Sequence, residues 1–353
     1  MIKKSLTILV LVIVARVDIA QDIVCFKECV AASAFSAENI HRIRSLGVEG
    51  PWDVIDFRWH KTEPILFMLS NWRSTEKAGT PGTDLEMWEY GDRGHKSRNF
   101  LIRGPFTQLE VTPGAVVSGT DRGSLLFGDI KQEEMLHEFQ VSDGKVSELL
   151  LHPSKAWLLV GINNAKLYQI DLESRSAAEN RLQGAEETAL HALSFSSNGK
   201  PLAVGGNETI WIWETGSWET WGPQRLPNES IEDLIFTEDD SHLIVLTDAS
   251  VSRWSLANER LRFLRKLVAR PGKRHCRIAD GDISPDGSLL MTTDTCGQSR
   301  AWDLAADQEI YVPQLDFSED SRPGTAVVFS PDGRLLAEVA NAHWVLLIVW
   351  EPA

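Results

Sequence analysis

A short unit recurs along this chain: an apolar run, a tight turn, a second apolar run and a closing aromatic residue. Its clearest copy lies within residues 326–351, where the turn is Pro331-Asp332-Gly333 and the closing residue is Trp350. A second copy runs from Ile283 to Trp302 and carries the same Pro-Asp-Gly turn. Two apolar runs separated by such a turn are typical of a β-hairpin. The repeat therefore constrains the fold more than any single motif does.

Seven copies of the unit cover nearly everything after residue 50. Their closing aromatic residues are Trp88, Phe127, Tyr168, Trp213, Trp254, Trp302 and Trp350. The separations between them are 39, 41, 45, 41, 48 and 48 residues, close to the roughly 40–45 residues of one four-stranded propeller blade. A β-sandwich with recurrent turns is the alternative. The regular spacing favours the propeller, with these aromatic residues in its core.

This pattern resembles the WD40-repeat family. The resemblance implies an all-β fold, a seven-bladed β-propeller of four-stranded antiparallel blades. It also implies that Asn39–Leu46 closes the ring as the outermost strand of the last blade, antiparallel to the strand that ends at Trp350, because little sequence follows Trp350. Candidate outer strands of other blades are Asn99–Ile102, Met135–Gln140, Leu261–Leu267 and Glu309–Val312.

The chain departs from the family in its buried polar network. WD40 blades often contain linked Asp, His, Ser or Thr, and Trp side chains. Asp121 and Asp248 occupy the Asp position, and Asn207 is a reasonable substitute, but none of the seven equivalent His positions holds a His. The tetrads are therefore incomplete, and we expect apolar packing between neighbouring sheets to hold the blades together.

The N-terminus indicates an export signal. Lys3 and Lys4 precede a compact apolar stretch, Leu6–Ala15, which Arg16 and Asp18 end before it is long enough to span a bilayer. The predicted domains are a signal peptide at 1–20, an N-terminal segment at 21–38 and the propeller at 39–353. An uncleaved anchor or a misassigned start codon is the alternative. A genuine signal predicts a periplasmic or secreted protein; otherwise the protein is expected in the cytoplasm.

The formal net charge of −15 argues against a nucleic-acid partner, because phosphate binding needs an excess of Lys and Arg. The most basic stretch is Arg260–Arg277. It is either a polyanion site or, more commonly for such a run, a solvated edge strand that carries protective charge. No integral membrane span is expected beyond the possible signal or anchor.

Motifs that would carry chemistry are missing from the sequence. Its nine His residues show no metal-binding spacing, and there is no nucleophile elbow, phosphate-binding glycine loop or dinucleotide fingerprint. We therefore predict no catalytic residue, cofactor or metal. The alternative is a propeller enzyme of the lactonase, glycosidase or quinoprotein type. Asp, Glu or His side chains converging on the central channel, together with a metal, would favour that enzyme; an apolar or sparsely charged channel would favour a scaffold.

The predicted function is a non-catalytic scaffold that binds a protein or peptide partner, as a monomeric ring or as a subunit of a larger complex. In the family, partners usually bind where the loops before the inner strands meet the loops joining the second and third strands. Here those loops carry Arg73, Arg122, Asn164, Glu208, Arg277, Arg322 and His343. One such loop, Arg73–Thr83, is unusually long and rich in Gly, Pro and small polar residues, which predicts a mobile surface loop.

Two further sets of residues stand out. One or two of the Trp residues outside the repeat phase are expected to be exposed contact residues. These are Trp52, Trp59, Trp72, Trp218, Trp221 and Trp344. The resemblance also makes Cys276 and Cys296 a candidate disulfide, because Cys296 holds the family's Asp position and Cys276 lies two residues from its His position. Two unrelated small buried residues remain the alternative.

Overall fold

A computed structural model describes residues 43–352 with gaps at 46–47, 50–51, 73–82, 92–93, 133, 155, 163–165, 175, 181–191, 258–259, 270–275, 297, 311–325 and 342–344. Every regular element among these described residues is a β-strand. The predicted signal peptide and the segment at 21–38 lie outside them.

The strands form six four-stranded antiparallel sheets and one five-stranded sheet. The first two strands are β1 (Ile43–Ser45) and β2 (Val48–Glu49). Sheet I contains β3 (Trp52–Trp59), β4 (Ile65–Trp72), β5 (Thr83–Gly91) and β6 (Gly94–Gly104). Sheet II contains β7 (Phe106–Val111), β8 (Ala115–Thr120), β9 (Ser124–Asp129) and β10 (Glu134–Gln140). Sheet III contains β11 (Val146–Leu151), β12 (Trp157–Ile162), β13 (Lys166–Asp171) and β14 (Ala177–Asn180).

The remaining strands continue the same order. Sheet IV contains β15 (Ala192–Phe195), β16 (Pro201–Gly206), β17 (Thr209–Glu214) and β18 (Thr220–Arg225). Sheet V contains β19 (Ile231–Phe236), β20 (His242–Thr247), β21 (Ser250–Ala257) and β22 (Arg260–Ala269). Sheet VI contains β23 (Ile278–Ile283), β24 (Leu289–Asp294), β25 (Ser299–Asp303) and β26 (Gln308–Ile310). Sheet VII contains β27 (Ala326–Phe329), β28 (Leu336–Asn341), β29 (Val345–Pro352), β1 and β2.

The blade count differs from the prediction. Six four-stranded blades are present rather than seven, and the strands of the last repeat lie in the five-stranded sheet VII. In that sheet Ile43–Ser45 pairs antiparallel with β29, with Ser45 opposite Trp350, and Val48–Glu49 pairs with β29 further along. The pairing keeps one register from Ser45 opposite Trp350 to Val48 opposite Leu347, and residues 46–47 lie outside the described part.

The Pro-Asp-Gly turns have a shared geometry that explains their recurrence. Gly287 and Gly333 have φ of 71° and 67°, values that L side chains rarely adopt. In the turn after β23, the Ser284 hydroxyl accepts the Leu289 N–H at 2.9 Å and donates to Asp286 at 2.6 Å. The Ser330 turn repeats both bonds. The motif therefore fixes the hairpin between the first and second strands of a sheet.

Apolar clusters join neighbouring sheets. They link sheet I to II, II to III, III to IV, IV to V, V to VI and VII to I. The closing aromatic residues of the repeats lie in these clusters wherever their side chains are described: Trp88, Phe127, Tyr168, Trp213, Trp254 and Trp302 are all buried. This part of the sequence prediction is confirmed. The side chain of Trp350 lies outside the described residues.

Three of the four predicted outer strands lie within strands of the structure. Asn99–Ile102 falls within β6, Met135–Gln140 within β10 and Leu261–Leu267 within β22. The candidate at Glu309–Val312 overlaps β26 at Glu309 and Ile310, and its last two residues lie outside the described part.

Candidate functional site

Charged side chains on the first strands of several sheets come together. These first strands contact one another in chain order, from β3 through β7, β11, β15, β19 and β23 to β27. The charge of Arg58 on β3 acts on carboxyl groups of three other first strands, which places their side chains near one another. The group, named here the axial cluster, consists of Asp56, Arg58, Glu110, Glu148, Asp233, Asp280 and Asp282.

Carboxylates of the axial cluster bind the backbone of the next sheet. Asp56 accepts the N–H of Leu109 at 2.8 Å, and Glu110 accepts the N–H of Leu151 at 3.2 Å. Because each bond joins the first strand of one sheet to the first strand of the following sheet, these carboxylates act as cross-links between blades.

The same arrangement joins sheets VI and VII. Asp280 accepts the N–H of Val327, and Asp282 accepts the N–H of Phe329, both at 2.7 Å. Sheets VII and I are linked in a different way, since the Trp59 indole N–H donates to the Val328 carbonyl at 3.1 Å. Hydrogen bonds therefore supplement the apolar packing that the sequence predicted, and no motif in the sequence indicated them.

Burial shifts the pKa values of the carboxyl groups in the axial cluster. Burial raises the pKa of Glu148 to about 8, against the opposing charge of Arg58. Burial also raises the pKa of Asp280 to about 7 and that of Asp282 to about 6, while the N–H groups of Val327 and Phe329 lower them. The pKa of Asp233 is raised well above its usual range by burial and by the charge of Asp280. Several of these groups therefore hold a proton near neutral pH.

Glu110 behaves in the opposite way. Burial would raise its pKa, but Lys61 at 3.2 Å, Arg58 and the N–H groups of Val111 and Leu151 lower it overall. Asp56 differs from Glu110, because burial raises its pKa overall although Arg58 binds its Oδ1 at 2.7 Å. The cluster thus contains one firmly ionised carboxylate beside several that are readily protonated.

The composition of the cluster fits neither of the two simple sequence-based expectations. It is rich in Asp and Glu, so it is not the sparsely charged channel expected of a scaffold. No group of three or more His, Cys, Asp or Glu within the described residues is arranged to hold a metal ion. Four of the carboxylates already accept backbone N–H groups of a neighbouring sheet. The chemistry that the geometry supports best here is structural cross-linking.

The predicted partner-binding residues fall into two groups. Arg122 and Arg277 are exposed, while Glu208 is half-buried and its Oε1 accepts the N–H of Asn228 at 3.0 Å. No hydrogen bond or ion pair connects these three side chains to one another in the part of the chain that the structure describes. The other four candidates, Arg73, Asn164, Arg322 and His343, lie outside the described residues.

The three candidates that the structure describes, Arg122, Glu208 and Arg277, lie at the same end of their sheets. Turns that join second and third strands bond to the segment that leads into the next sheet: Ile231 donates to the Asn207 carbonyl at 3.0 Å, and Ile278 donates to the Asp248 carbonyl at 3.2 Å. Arg122 and Glu208 belong to such turns, and Arg277 to such a segment. These connections define what we call the loop face.

Among the Trp residues outside the repeat phase, the three whose side chains the structure describes are not exposed. Trp59 is buried, and Trp218 and Trp221 are half-buried. The side chains of Trp52 and Trp72, and all of Trp344, lie outside what the structure describes. The long loop predicted at Arg73–Thr83 also lies outside it, except that Thr83 is the first residue of β5.

Cys276 and Cys296 form a disulfide bond in the structure, with their Cα atoms 5.5 Å apart. The two loops that carry them are also joined by hydrogen bonds, since the Arg277 N–H donates to the Thr295 hydroxyl at 2.9 Å and the Thr295 N–H donates to the Arg277 carbonyl at 2.7 Å. Asp294 supports the second loop by accepting the Cys296 N–H at 2.8 Å. The disulfide therefore fixes the loop-face end of sheet VI.

Similarity to known proteins agrees with this geometry. No family model matches the chain. The serine-threonine kinase receptor-associated proteins of Rattus norvegicus and Mus musculus are each 26% identical over 170 residues, covering 46% of this chain and 47% of the relative. The human protein is 25% identical over the same length. The chain spans about half the length of the curated relatives it matches.

Among solved structures, the β-propeller domain of Cps50 (Swd1) from Myceliophteria thermophila matches with a TM-score of 0.68 at 12% identity, covering 88% of this chain and 99% of that one. The WD40-repeat resemblance is confirmed. At such low identity, the structural likeness speaks for the fold alone. No helix among the described residues is long and apolar enough to cross a membrane.

One buried side-chain hydrogen bond links the second and third strands of sheet VI. The Trp302 indole N–H donates to the Thr292 hydroxyl at 3.4 Å.

The disulfide is expected to stabilise the protein. Replacing Cys276 and Cys296 together by Ser should lower the free energy of unfolding by about 3 kcal/mol, because the loop between them is then no longer constrained in the unfolded chain. Urea unfolding of the variant and the wild type measures this difference. Dithiothreitol should lower the stability of the wild type by a similar amount and leave the variant unchanged. Equal stabilities with a free-thiol mass for the wild type would contradict the assignment.

Proposed function

We propose that sheet VII is the seventh blade of a closed propeller. Three observations support this. Sheet VII contains the strands of the last repeat, and its β1 and β2 come from the N-terminal segment. Its Leu335, Ala337 and Val339 pack with Phe57 and Trp59 of sheet I. On its other side its Val327 and Phe329 N–H groups donate hydrogen bonds to Asp280 and Asp282 of sheet VI.

The function that we propose is a non-catalytic scaffold that binds a protein or peptide partner on the loop face. One observation carries it: the loop face presents the exposed side chains of Arg122 and Arg277 on connections held by backbone hydrogen bonds and a disulfide. Side chains on rigid turns lose little conformational freedom on binding. The relatives are named as receptor-associated proteins, in keeping with a protein partner for this chain as well.

A propeller enzyme is the second candidate, and the axial cluster is the observation that favours it. Paired carboxyl groups with raised pKa values are what acid–base catalysis requires. Glu148 and Asp233 are the members without a hydrogen bond to the backbone of a neighbouring sheet among the described contacts. We favour the scaffold because Asp56, Glu110, Asp280 and Asp282 already serve as cross-links.

Export is the compartment we propose, on the strength of the N-terminal sequence and the disulfide. Disulfides persist in oxidising compartments and are rare in the cytosol. The net charge of −15 further suggests that the partner is not nucleic acid. A monomeric ring, alone or as a subunit of a larger complex, is the proposed state.

Partner capture tests the loop-face proposal. The variant that combines Arg122→Glu with Arg277→Glu is expected to retain at least tenfold less partner than wild type when the immobilised proteins are exposed to an extract of the native host and the bound proteins are quantified by mass spectrometry. The control combines Lys131→Glu with Lys200→Glu, two exposed residues in turns at the opposite end of their sheets. Equal capture by both variants would contradict the assignment to the loop face.

A further inference from the structure

The outer strand of sheet V, β22, is unusual because its exposed surface is apolar as well as basic. Phe263 is 54% exposed and its neighbour Leu264 is 48% exposed. Only one other large hydrophobic residue among those described, Ile55, is exposed. Exposed apolar residues that occur together, unlike scattered ones, indicate an interaction surface.

A β-bulge brings the two apolar side chains to the surface. Phe263 lies opposite Trp254 and Arg265 lies opposite Arg253, so Leu264 is an extra residue without a partner on β21. Phe263 contacts the Trp254 ring edge-on, with centroids 5.3 Å apart, which holds the exposed ring in one position. A second register shift follows near Leu267. Bulges interrupt the regular ladder, so this edge is poorly suited to pairing with another strand.

Four cations accompany these residues, and two of them pair with no acidic side chain in the part of the chain that the structure describes. Arg265 pairs with Asp307 at 3.0 Å, and Lys266 pairs with Glu229 at 2.9 Å. Arg260 and Arg262 are exposed and form no ion pair with a carboxylate among the described residues. In a chain of net charge −15, this strand is a local excess of positive charge, which attracts anionic groups and orients them.

Protective charge alone does not explain this strand. Edge strands are commonly protected by charged residues and bulges, and β22 has both. Protection would not, however, place Phe263 and Leu264 side by side at the surface, where they favour association. The combination of rigid apolar residues with cations that pair with no described carboxylate is typical of a binding surface.

We propose that β22 binds an acidic, apolar segment of another protein. An apolar side chain of that segment packs on Phe263 and Leu264, while its carboxylates pair with Arg260 and Arg262. Binding is through side chains rather than by strand addition, because the bulges interrupt the edge. The surface is on the outer strand rather than the loop face, so this inference goes beyond the proposed scaffold function and does not depend on it.

The test uses a fluorescein-labelled dodecapeptide that alternates Glu with Leu and Phe, and fluorescence anisotropy with the full chain. The expected dissociation constant is below about 100 µM at low ionic strength, and it should increase at least tenfold at high salt because exposed charge pairs are screened. Combining Arg260→Glu with Arg262→Glu, or Phe263→Ser with Leu264→Ser, should weaken binding at least tenfold. A peptide with Lys in place of Glu should not bind.

The variants change exposed residues, so their melting temperatures should match that of the wild type, which separates a binding effect from misfolding. The control combining Lys131→Glu with Lys200→Glu removes the same charge elsewhere and should leave the dissociation constant unchanged. Unchanged binding by both β22 variants would overturn the proposal, as would no binding up to about 1 mM peptide. Tighter binding of β22 to phosphatidylserine-containing vesicles or to oligo(dT) than to the peptide would also overturn it, in favour of a membrane or nucleic-acid surface.

Discussion

Raising the pH from about 5 to about 9 is expected to lower the free energy of unfolding by on the order of 5 kcal/mol. Burial raises the pKa of Glu148 to about 8, of Asp280 to about 7 and of Asp282 to about 6 in the folded protein. The unfolded chain has ordinary values near 4. The folded state therefore binds more protons between pH 4 and 8, and stability falls as the pH rises through that window.

The neighbouring charges do not reverse this direction. Glu148 is influenced by Arg58 and Asp56, and Asp280 by Asp282 and Arg58, and both pKa values remain raised. The pKa of Glu110 is lowered in the folded protein. Its contribution to the free energy of unfolding is therefore lost only at acidic pH, as the pH falls through the folded-state pKa.

Urea unfolding across this pH range measures the effect. The Glu148→Gln variant replaces the acid with a group that resembles its protonated form, so its stability should fall less steeply between pH 6 and 8. Glu173→Gln, at an exposed turn, serves as the control and should follow the wild type. Stability that is constant or rises over this range would show that the axial carboxyl groups are ionised in the folded protein.

Deleting residues 1–49 is expected to lower the melting temperature by about 10 °C or more. The deletion removes β1 and β2, which pair with β29 in sheet VII. It leaves β29 as an open edge with the sequence Val345-Leu346-Leu347-Ile348-Val349-Trp350. A long apolar edge strand is prone to aggregation.

The matched control deletes only residues 1–38 and keeps both strands. It should melt like the full chain and remain monomeric on size-exclusion chromatography, whereas the longer deletion should aggregate. If both deletions melt like the full chain, the proposed closure of the ring by the N-terminal strands is wrong.

The repeat predicted the fold because its apolar residues report directly on burial. Trp213 and Trp302 recur in step with the turns, and a large aromatic residue at the same place in every unit must occupy the same place in every sheet. The extent of the N-terminal pairing with β29 was less predictable, since its second stretch, Val48–Glu49, lies beyond the predicted Asn39–Leu46 and carries no repeat signal.

The axial cluster could not be predicted because its residues look like surface residues in the sequence. In β23, Asp280 and Asp282 alternate with smaller or apolar residues, as on a strand with one solvated face. Only the arrangement of the sheets brings that face opposite Arg58 and Asp233. For the loop residues the sequence predicts a location but not a binding partner. The turns that carry Arg122 and Glu208 assign them to the loop face, and nothing in the sequence says what they bind.

The cross-links between sheets also bear on the order of folding. The bonds from Asp280 and Asp282 to sheet VII join residues 47 apart in the sequence, whereas Trp59 and Val328 are 269 apart. Contacts of short sequence separation form early, and those of long separation form late. A growing chain can therefore add each sheet to the one before it, but Phe57 and Trp59 stay uncovered until sheet VII emerges. During synthesis that uncovered surface of sheet I is where a chaperone would be needed most.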